Sequence, residues 1–250
     1  MTTETQPPIT KILVINSFPA NGNAGLKMVM SVLGTHVIPV PTLLLSGIGN
    51  MPGFQRFTIP FAKLLDSTLT LARQNGQSLV VYVGYLGGAD QAEVIADAII
   101  HLWHHLLTIA DLVLPNFTET ALLTGVREDI VPENAETYLS AFRELYPAPD
   151  CIVTGIRSGD QVINRWVRAD TGAVTDFAHP YYPRYFSGTG DLFASVVIRF
   201  LCLENQLIRH AIENAGQVLE TFIRHSVEAG RADLLITPEL PHLSTNTTNA

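Results

Sequence analysis

Phe186-Ser187-Gly188-Thr189-Gly190-Asp191 sets two glycines around a threonine and follows them with a carboxylate and the apolar run Leu192-Phe193-Ala194. Glycines at a helix start leave backbone amides open to an anion, because no Cβ crowds the approach. Asp191 falls at that helix start. There a carboxylate can cap the helix, or it can take the proton of a hydroxyl that attacks a phosphate. An anion cradle edged by a carboxylate points to phosphoryl transfer. A plain glycine turn with an Asp N-cap is the alternative.

Other polar residues fall directly after apolar strands: Ser17, Thr42, Tyr85, Asn116 and Thr154. Asn116 and Glu119 stand three apart, a spacing that also fits a helix capping box. His101, His104 and His105 could bring two imidazoles to one helical face. They sit among Ile, Leu and Trp with no carboxylate at close spacing, which argues against a metal site.

The elements that must hold these residues read as an alternation. Lys11–Asn16 is a continuous apolar strand of the kind buried on both faces of a parallel sheet. Leu26–Leu33 reads as a helix ended by Gly34. His36–Pro39 reads as a strand, Pro41–Phe57 as a long Gly/Pro-rich loop able to act as a lid, and Ile59–Gln74 as a helix. Ser78–Val83 is a strong strand with Gly84–Gly88 as its exit turn, and Asp90–Leu107 looks helical. Asp111–Leu114 is a short strand, Thr118–Leu123 a helix start closed by Gly125, Ala135–Leu145 a helix, and Cys151–Thr154 a strand. Gln161–Val167 and Ala173–Ala178 alternate as an antiparallel pair turning at Asp170-Thr171-Gly172. Asp191–Asn205 and Leu207–Ala229 read as helices. Strands alternating with helices predict an α/β fold: a doubly wound, mainly parallel sheet in a three-layer α/β/α sandwich, with its ligand beyond the carboxyl ends of the strands.

Length and composition bound the function. The 250 residues suffice for one large domain, and 47% hydrophobic with 15% charged residues is a globular composition. One domain over residues 1–250 is expected, with 1–9 and 244–250 as flexible ends. A net charge of −8 argues against a general nucleic-acid or anionic-membrane binder. The two cysteines, Cys151 and Cys202, lie in apolar contexts and read as buried free thiols of a reducing, cytoplasmic compartment. No apolar run reaches the length of a membrane span.

Four segments in this order resemble the ribokinase-like superfamily and, within it, the pyridoxal kinases. They are Ile15-Asn16-Ser17 with the loop through Gly25, Val40-Pro41-Thr42-Leu43-Leu44-Leu45-Ser46, Gly84-Tyr85-Leu86 followed by Leu114–Gly125, and Ser187–Asp191. The resemblance implies transfer of the γ-phosphoryl of ATP, with Mg²⁺, to the hydroxymethyl group of pyridoxal, pyridoxine or pyridoxamine. It implies that Asp191 is the base and that Gly188 and Gly190 supply amides to the moving phosphoryl. Ser17, Thr42, Ser46 and Tyr85 would then serve the substrate. Asn116, Glu119, Thr154 and Thr189 would serve the nucleotide, Glu119 also touching the metal. A homodimer is the expected assembly. Hydroxymethylpyrimidine kinases are close relatives, and many carry Cys where Asp191 stands.

The chain also departs from that family. The strand expected between Gly84-Tyr85 and Pro115-Asn116, ending in Asp-Pro-Val-Met-Gly-Asp, has no counterpart, and Asp90–Leu107 runs almost directly into Thr108–Leu114. The simplest account is a deletion joined near Trp103–Leu106. A second function therefore stands beside the kinase: a catalytically impaired protein that binds the vitamer or the nucleotide.

Overall fold

The computed structural model describes residues 11–49, 51–75, 79–85, 110–126, 130–147, 149–231 and 233–236. The chain divides into two compact units, Met1–Gly87 with Arg184–Ala250, and Gly88–Pro183.

In the first unit, β1 (Lys11–Pro19) is central. It pairs in parallel with β2 (Val37–Leu45) on one side and with β4 (Leu79–Val83) on the other. The run Ile12–Ile15 is buried throughout, as a strand flanked on both sides requires. Leu13, Ile15 and Val40 pack against Phe61, Leu65 and Leu69 of α2 (Phe61–Gln74). Alternation sends Ile12 and Val14 to the other face. The helix α1 (Gly25–Leu33), whose Leu26, Met28, Val29 and Val32 are buried, packs on β1 as well. It ends at Gly34, as expected.

The second strand is longer than its sequence suggests. Pro41 does not open a loop: β2 runs through both prolines to Leu45 and then pairs antiparallel with β3 (Arg56–Thr58). Residues 39 and 41 share one edge of β2. Their missing N–H groups face away from β1 and upstream of the stretch 43–45 that β3 covers, so no ladder bond is lost. The connection shrinks to residues 46–55, closed by Ser46 N–H donating to Gln55 O (3.0 Å) and Gln55 N–H to Ser46 Oγ (2.8 Å).

The second unit holds β5 (Leu112–Val113) parallel to β6 (Asp150–Ser158), then β7 (Gln161–Val167) and β8 (Val174–Pro180) as an antiparallel meander. Two helices, α3 (Phe117–Leu123) and α4 (Ala135–Leu145), cover it. Tyr138, Leu139 and Phe142 form the buried stripe of α4, and Leu139 and Phe142 pack in one core with Cys151, Val153, Ile156 and Val167. Cys151–Thr154 is the first part of a strand that continues to Ser158. Thr154 and Gly155 mark a register shift within it rather than its end.

The chain returns to the first unit through α5 (Thr189–Ile198), a single π turn (Arg199–Leu203) and α6 (Ile208–Glu228). The π turn breaks the continuous helix expected to Asn205. Leu234, fully buried, follows α6. Ser226 Oγ accepts from Leu235 N–H (2.8 Å), and Asn23 Nδ2 donates to Leu234 O (3.0 Å). The expected helix 90–107, the three histidines and the proposed deletion join lie outside the described residues.

Candidate functional site

Asp191 occupies the third position of α5, and its carboxylate does not cap the helix. Gly188 is the N-cap residue, with φ of 86° and no side-chain cap. A Cβ there would overlap the carbonyl of Asn23 and press on Ala24, so only glycine fits the turn. Freed from capping, Asp191 turns inward. Its Oδ1 accepts from Asn16 Nδ2 (2.7 Å) and its Oδ2 from Gly25 N–H (2.8 Å), and the Tyr82 side chain is a third hydrogen-bond partner. Burial raises the pKa of this carboxyl above the ordinary Asp value; the Gly25 amide, Asn16 and Tyr82 oppose the rise. The N-cap alternative is thereby excluded, and the carboxylate is held at a fixed place by these three donors.

Asp191 lines a cavity of about 240 Å³ within the first unit. Asn16, Ser17 and Gly25 share that wall, Ser187 comes from the turn before α5, and Tyr85 from the exit of β4. Leu45, Ile48, Gly49, Phe54 and Arg56 line it from the end of β2 through β3. Arg56 stacks over the Phe54 ring at 5.4 Å, which sets an aromatic face and a cation beside the opening. Of the sequence-derived substrate residues, Ser17 and Tyr85 therefore meet Asp191 at one cavity. Thr42 acts one step back, its hydroxyl donating to the Tyr85 carbonyl (2.9 Å). Ser46 closes the base of the 46–55 loop. Thr189 and Gly190 form the first turn of α5, where amides have no intrahelical partner. A Cβ on Gly190 would meet nothing within 4 Å, so packing does not require glycine there.

Asn116, Glu119 and Thr154 come together in the second unit. Asn116 caps α3: its Oδ1 accepts from Glu119 N–H (2.8 Å), and Glu119 Oε2 accepts from Asn116 N–H (2.8 Å). The capping box is thus formed in full. Thr154 N–H donates to Pro115 O (3.0 Å) and Asn116 bridges to Thr154 as a single parallel pair, so the register shift of β6 carries Thr154 to the start of α3. Asn164, nearly fully buried, accepts from Gly155 N–H (3.3 Å) and fixes that shift. Among the described residues no group of three His, Cys, Asp or Glu side chains could hold a metal. Glu119, a hard oxygen donor, suits the limited role Mg²⁺ asks of a protein when phosphates supply most of its ligands.

Sequence reasoning missed Asn16 and Arg56. Asn16 was part of a motif but carried no role; a polar amide closing the apolar run Lys11–Ile15 was the signal. Arg56 lay in what read as a loop.

Known proteins share this architecture. A crystal structure of a candidate phosphomethylpyrimidine kinase from Bacteroides thetaiotaomicron superposes with a TM-score of 0.79 at 21% identity, covering 99% of this chain and 98% of that one. A second crystal form of it, with pyridoxal, gives 0.71 at 22% identity over 87% and 88% of the two chains. Pyridoxal kinase from Leishmania donovani, in complex with ADP and pyridoxamine, gives 0.72 at 20% identity over 92% and 91%. A candidate pyridoxal kinase of Schizosaccharomyces pombe is 21% identical over 256 residues, covering 87% of this chain and 81% of its own length. The fold is the ribokinase-like α/β fold of small-molecule kinases. A model of the phosphomethylpyrimidine kinase family matches residues 70–237, and the chain belongs to that family of phosphotransferases.

Proposed function

We propose that this chain phosphorylates the hydroxymethyl group of a vitamin B6 vitamer (pyridoxal, pyridoxine or pyridoxamine) with ATP. The observation that carries the reading is the inward-turned Asp191 carboxylate, held by Gly25 N–H and Asn16 at a cavity that also takes Ser17 and Tyr85. Raised in pKa by burial, Asp191 accepts the hydroxymethyl proton as the oxygen attacks the γ-phosphorus, and ADP leaves. Amides in the first turn of α5, after Gly188, stabilise the charge that builds on the moving phosphoryl, and the bare Gly190 leaves them open. Ser17, Tyr85, Thr42 and Ser46 hold and frame the ring. Asn116, Thr154 and Thr189 serve the nucleotide phosphates, and Glu119 serves Mg²⁺, which neutralises phosphate charge when bound. The relatives crystallised with pyridoxal, and with ADP and pyridoxamine, support this substrate class.

The reading extends to a single kinase domain over both units, a homodimer and a cytoplasmic setting; the two free cysteines are in keeping with the last. Among the described residues no helix is long and apolar enough to cross a membrane. The test is transfer of labelled phosphoryl from ATP with Mg²⁺ to each vitamer and to hydroxymethylpyrimidine. Turnover on a vitamer well above that on the pyrimidine supports the assignment, and the reverse order moves it to the pyrimidine kinase that the family description suggests.

One observation favours a second reading, a vitamer- or nucleotide-binding protein with impaired catalysis. The Glu119 carboxylate is engaged in the capping box. Calorimetric binding without any transfer to either substrate class is the result that selects it.

A further inference from the structure

We propose that Asn16 is a positioning residue for the reaction: its side-chain amide aims the Asp191 carboxylate at the cavity and, as a donor, favours its charged form. The inference rests on the kinase reading above, with Asp191 as the base.

One amide group ties three elements together. Asn16 Nδ2 donates to Asp191 Oδ1 at 2.7 Å, while Asn16 Oδ1 accepts from Ser17 N–H at 2.8 Å and from Tyr85 N–H at 3.1 Å. The side chain is fully buried, so each of these bonds lacks competition from water. The site demands an acceptor towards two backbone N–H groups and a donor towards a carboxylate, at one fixed reach. Asparagine supplies both. A flipped amide would turn its NH₂ onto two N–H donors, so the orientation is set by the surroundings. Gly84 completes the fit, because a Cβ there would overlap the Asn16 amide. Ser17 and Tyr85, whose amides Asn16 holds, also line the substrate cavity. The segments that frame the ring and the group that takes the proton therefore share one anchor.

The titratable groups around Asp191 are few. Tyr82 on β4 bonds to it, and Tyr85 and Arg56 line the same cavity. Lys27 on α1 is directed to the Ala20 carbonyl (3.2 Å). From α6, whose last turns carry His225 and Glu228, no hydrogen bond to the carboxylate is formed among the described residues. Among the described residues the donors on Asp191 are the Gly25 amide, Asn16 and Tyr82, all neutral groups.

Asn16→Asp separates positioning from support. The variant is isosteric and keeps an oxygen for the Ser17 and Tyr85 amides, but it sets a carboxylate against Asp191 in place of a donor. The acid limb of kcat/KM should move up by about one pH unit or more. Turnover at neutral pH should fall at least about ten-fold, with the KM for ATP within about two-fold of the parent. A limb and turnover matching the parent's would overturn the proposal, since a purely structural Asn16 needs only its acceptor oxygen. If Asn16→Asp does not fold, Asn16→Ala with the same pH profile decides, with the same expected direction. An inactive parent would sink the kinase reading, and the effect of Asn16 on the Asp191 carboxylate is then read by itself. In that case a ¹³C titration of the Asp191 carboxyl in parent and variant reads the shift without turnover, and an unmoved titration overturns the proposal.

Discussion

Asp191→Asn tests the catalytic reading most directly, and the structure sets two magnitudes for it. As a general base, Asp191 is worth about 10²- to 10⁴-fold in turnover, or roughly 3 to 5 kcal/mol of barrier. Stability should respond differently. Asparagine at 191 keeps one acceptor oxygen but turns an NH₂ towards either Asn16 Nδ2 or Gly25 N–H, which now sit 2.7 and 2.8 Å from the two carboxylate oxygens. Losing one charge-assisted bond costs about 1.5 to 3 kcal/mol. Relief from burying a charge offsets part of that, because burial is the largest influence on this carboxyl and raises its pKa. The sign with pH follows. A carboxyl raised on folding contributes its full stability below the unfolded value near 4 and loses it as pH rises through the folded value. The difference in Tm, variant minus parent, should therefore grow more favourable to Asp191→Asn as pH rises from the ordinary Asp range to neutrality. Steady-state turnover on a vitamer, nucleotide binding by calorimetry and a melt series against pH make up the assay. Turnover within a few-fold of the parent, with nucleotide still bound, would refute the base assignment. A Tm difference that worsens with pH would refute the electrostatic argument.

Asn116→Ala removes the capping box of α3 and should cost about 1 kcal/mol by denaturant titration; if Asn116 also serves the nucleotide, the KM for ATP rises as well, and a stability loss alone would restrict it to capping. Cys151, buried and with its thiol pKa pushed up to about 12, should resist alkylation at neutral pH until the protein unfolds; rapid labelling of the folded protein would contradict its packing. The 46–55 loop, which contributes Ile48, Gly49 and Phe54 to the cavity wall, should gain hydrogen-exchange protection when a vitamer binds; equal, strong protection in both states would count against a lid.

Local pattern carried much of the architecture. The run Lys11–Asn16 gave a buried parallel strand because apolar residues without alternation have to be covered on both faces; Ser78–Val83 gave its parallel partner β4, which is only partly covered, with Val81 exposed. The turn Asp170-Thr171-Gly172 announced the β7–β8 hairpin, and the helix read over Ala135–Leu145 matched α4. Boundaries failed where a neighbour overruled local chemistry. Pro41 argued for the start of a loop, yet with Pro39 it sits on an edge of β2 that needs no donor. Thr154-Gly155 argued for a strand end, yet Asn164 holds those residues as a shift inside a continuing strand.

The sequence by itself determined the residue types of the chemistry: a glycine-bracketed turn, an aspartate at a helix start and polar side chains after apolar strands. Those are local signals, since each depends on backbone freedom or on spacing within one element. Only the tertiary structure decided what Asp191 does with its carboxylate. The choice between capping its own helix and facing a cavity turns on Asn16 and Gly25, which lie 175 and 166 residues away along the chain. Partners that distant leave no periodicity or motif behind. They meet because β1 lies at the centre of its sheet and α5 returns to it, and that approach, through burial and aligned donors, fixes the Asp191 carboxylate and raises its pKa.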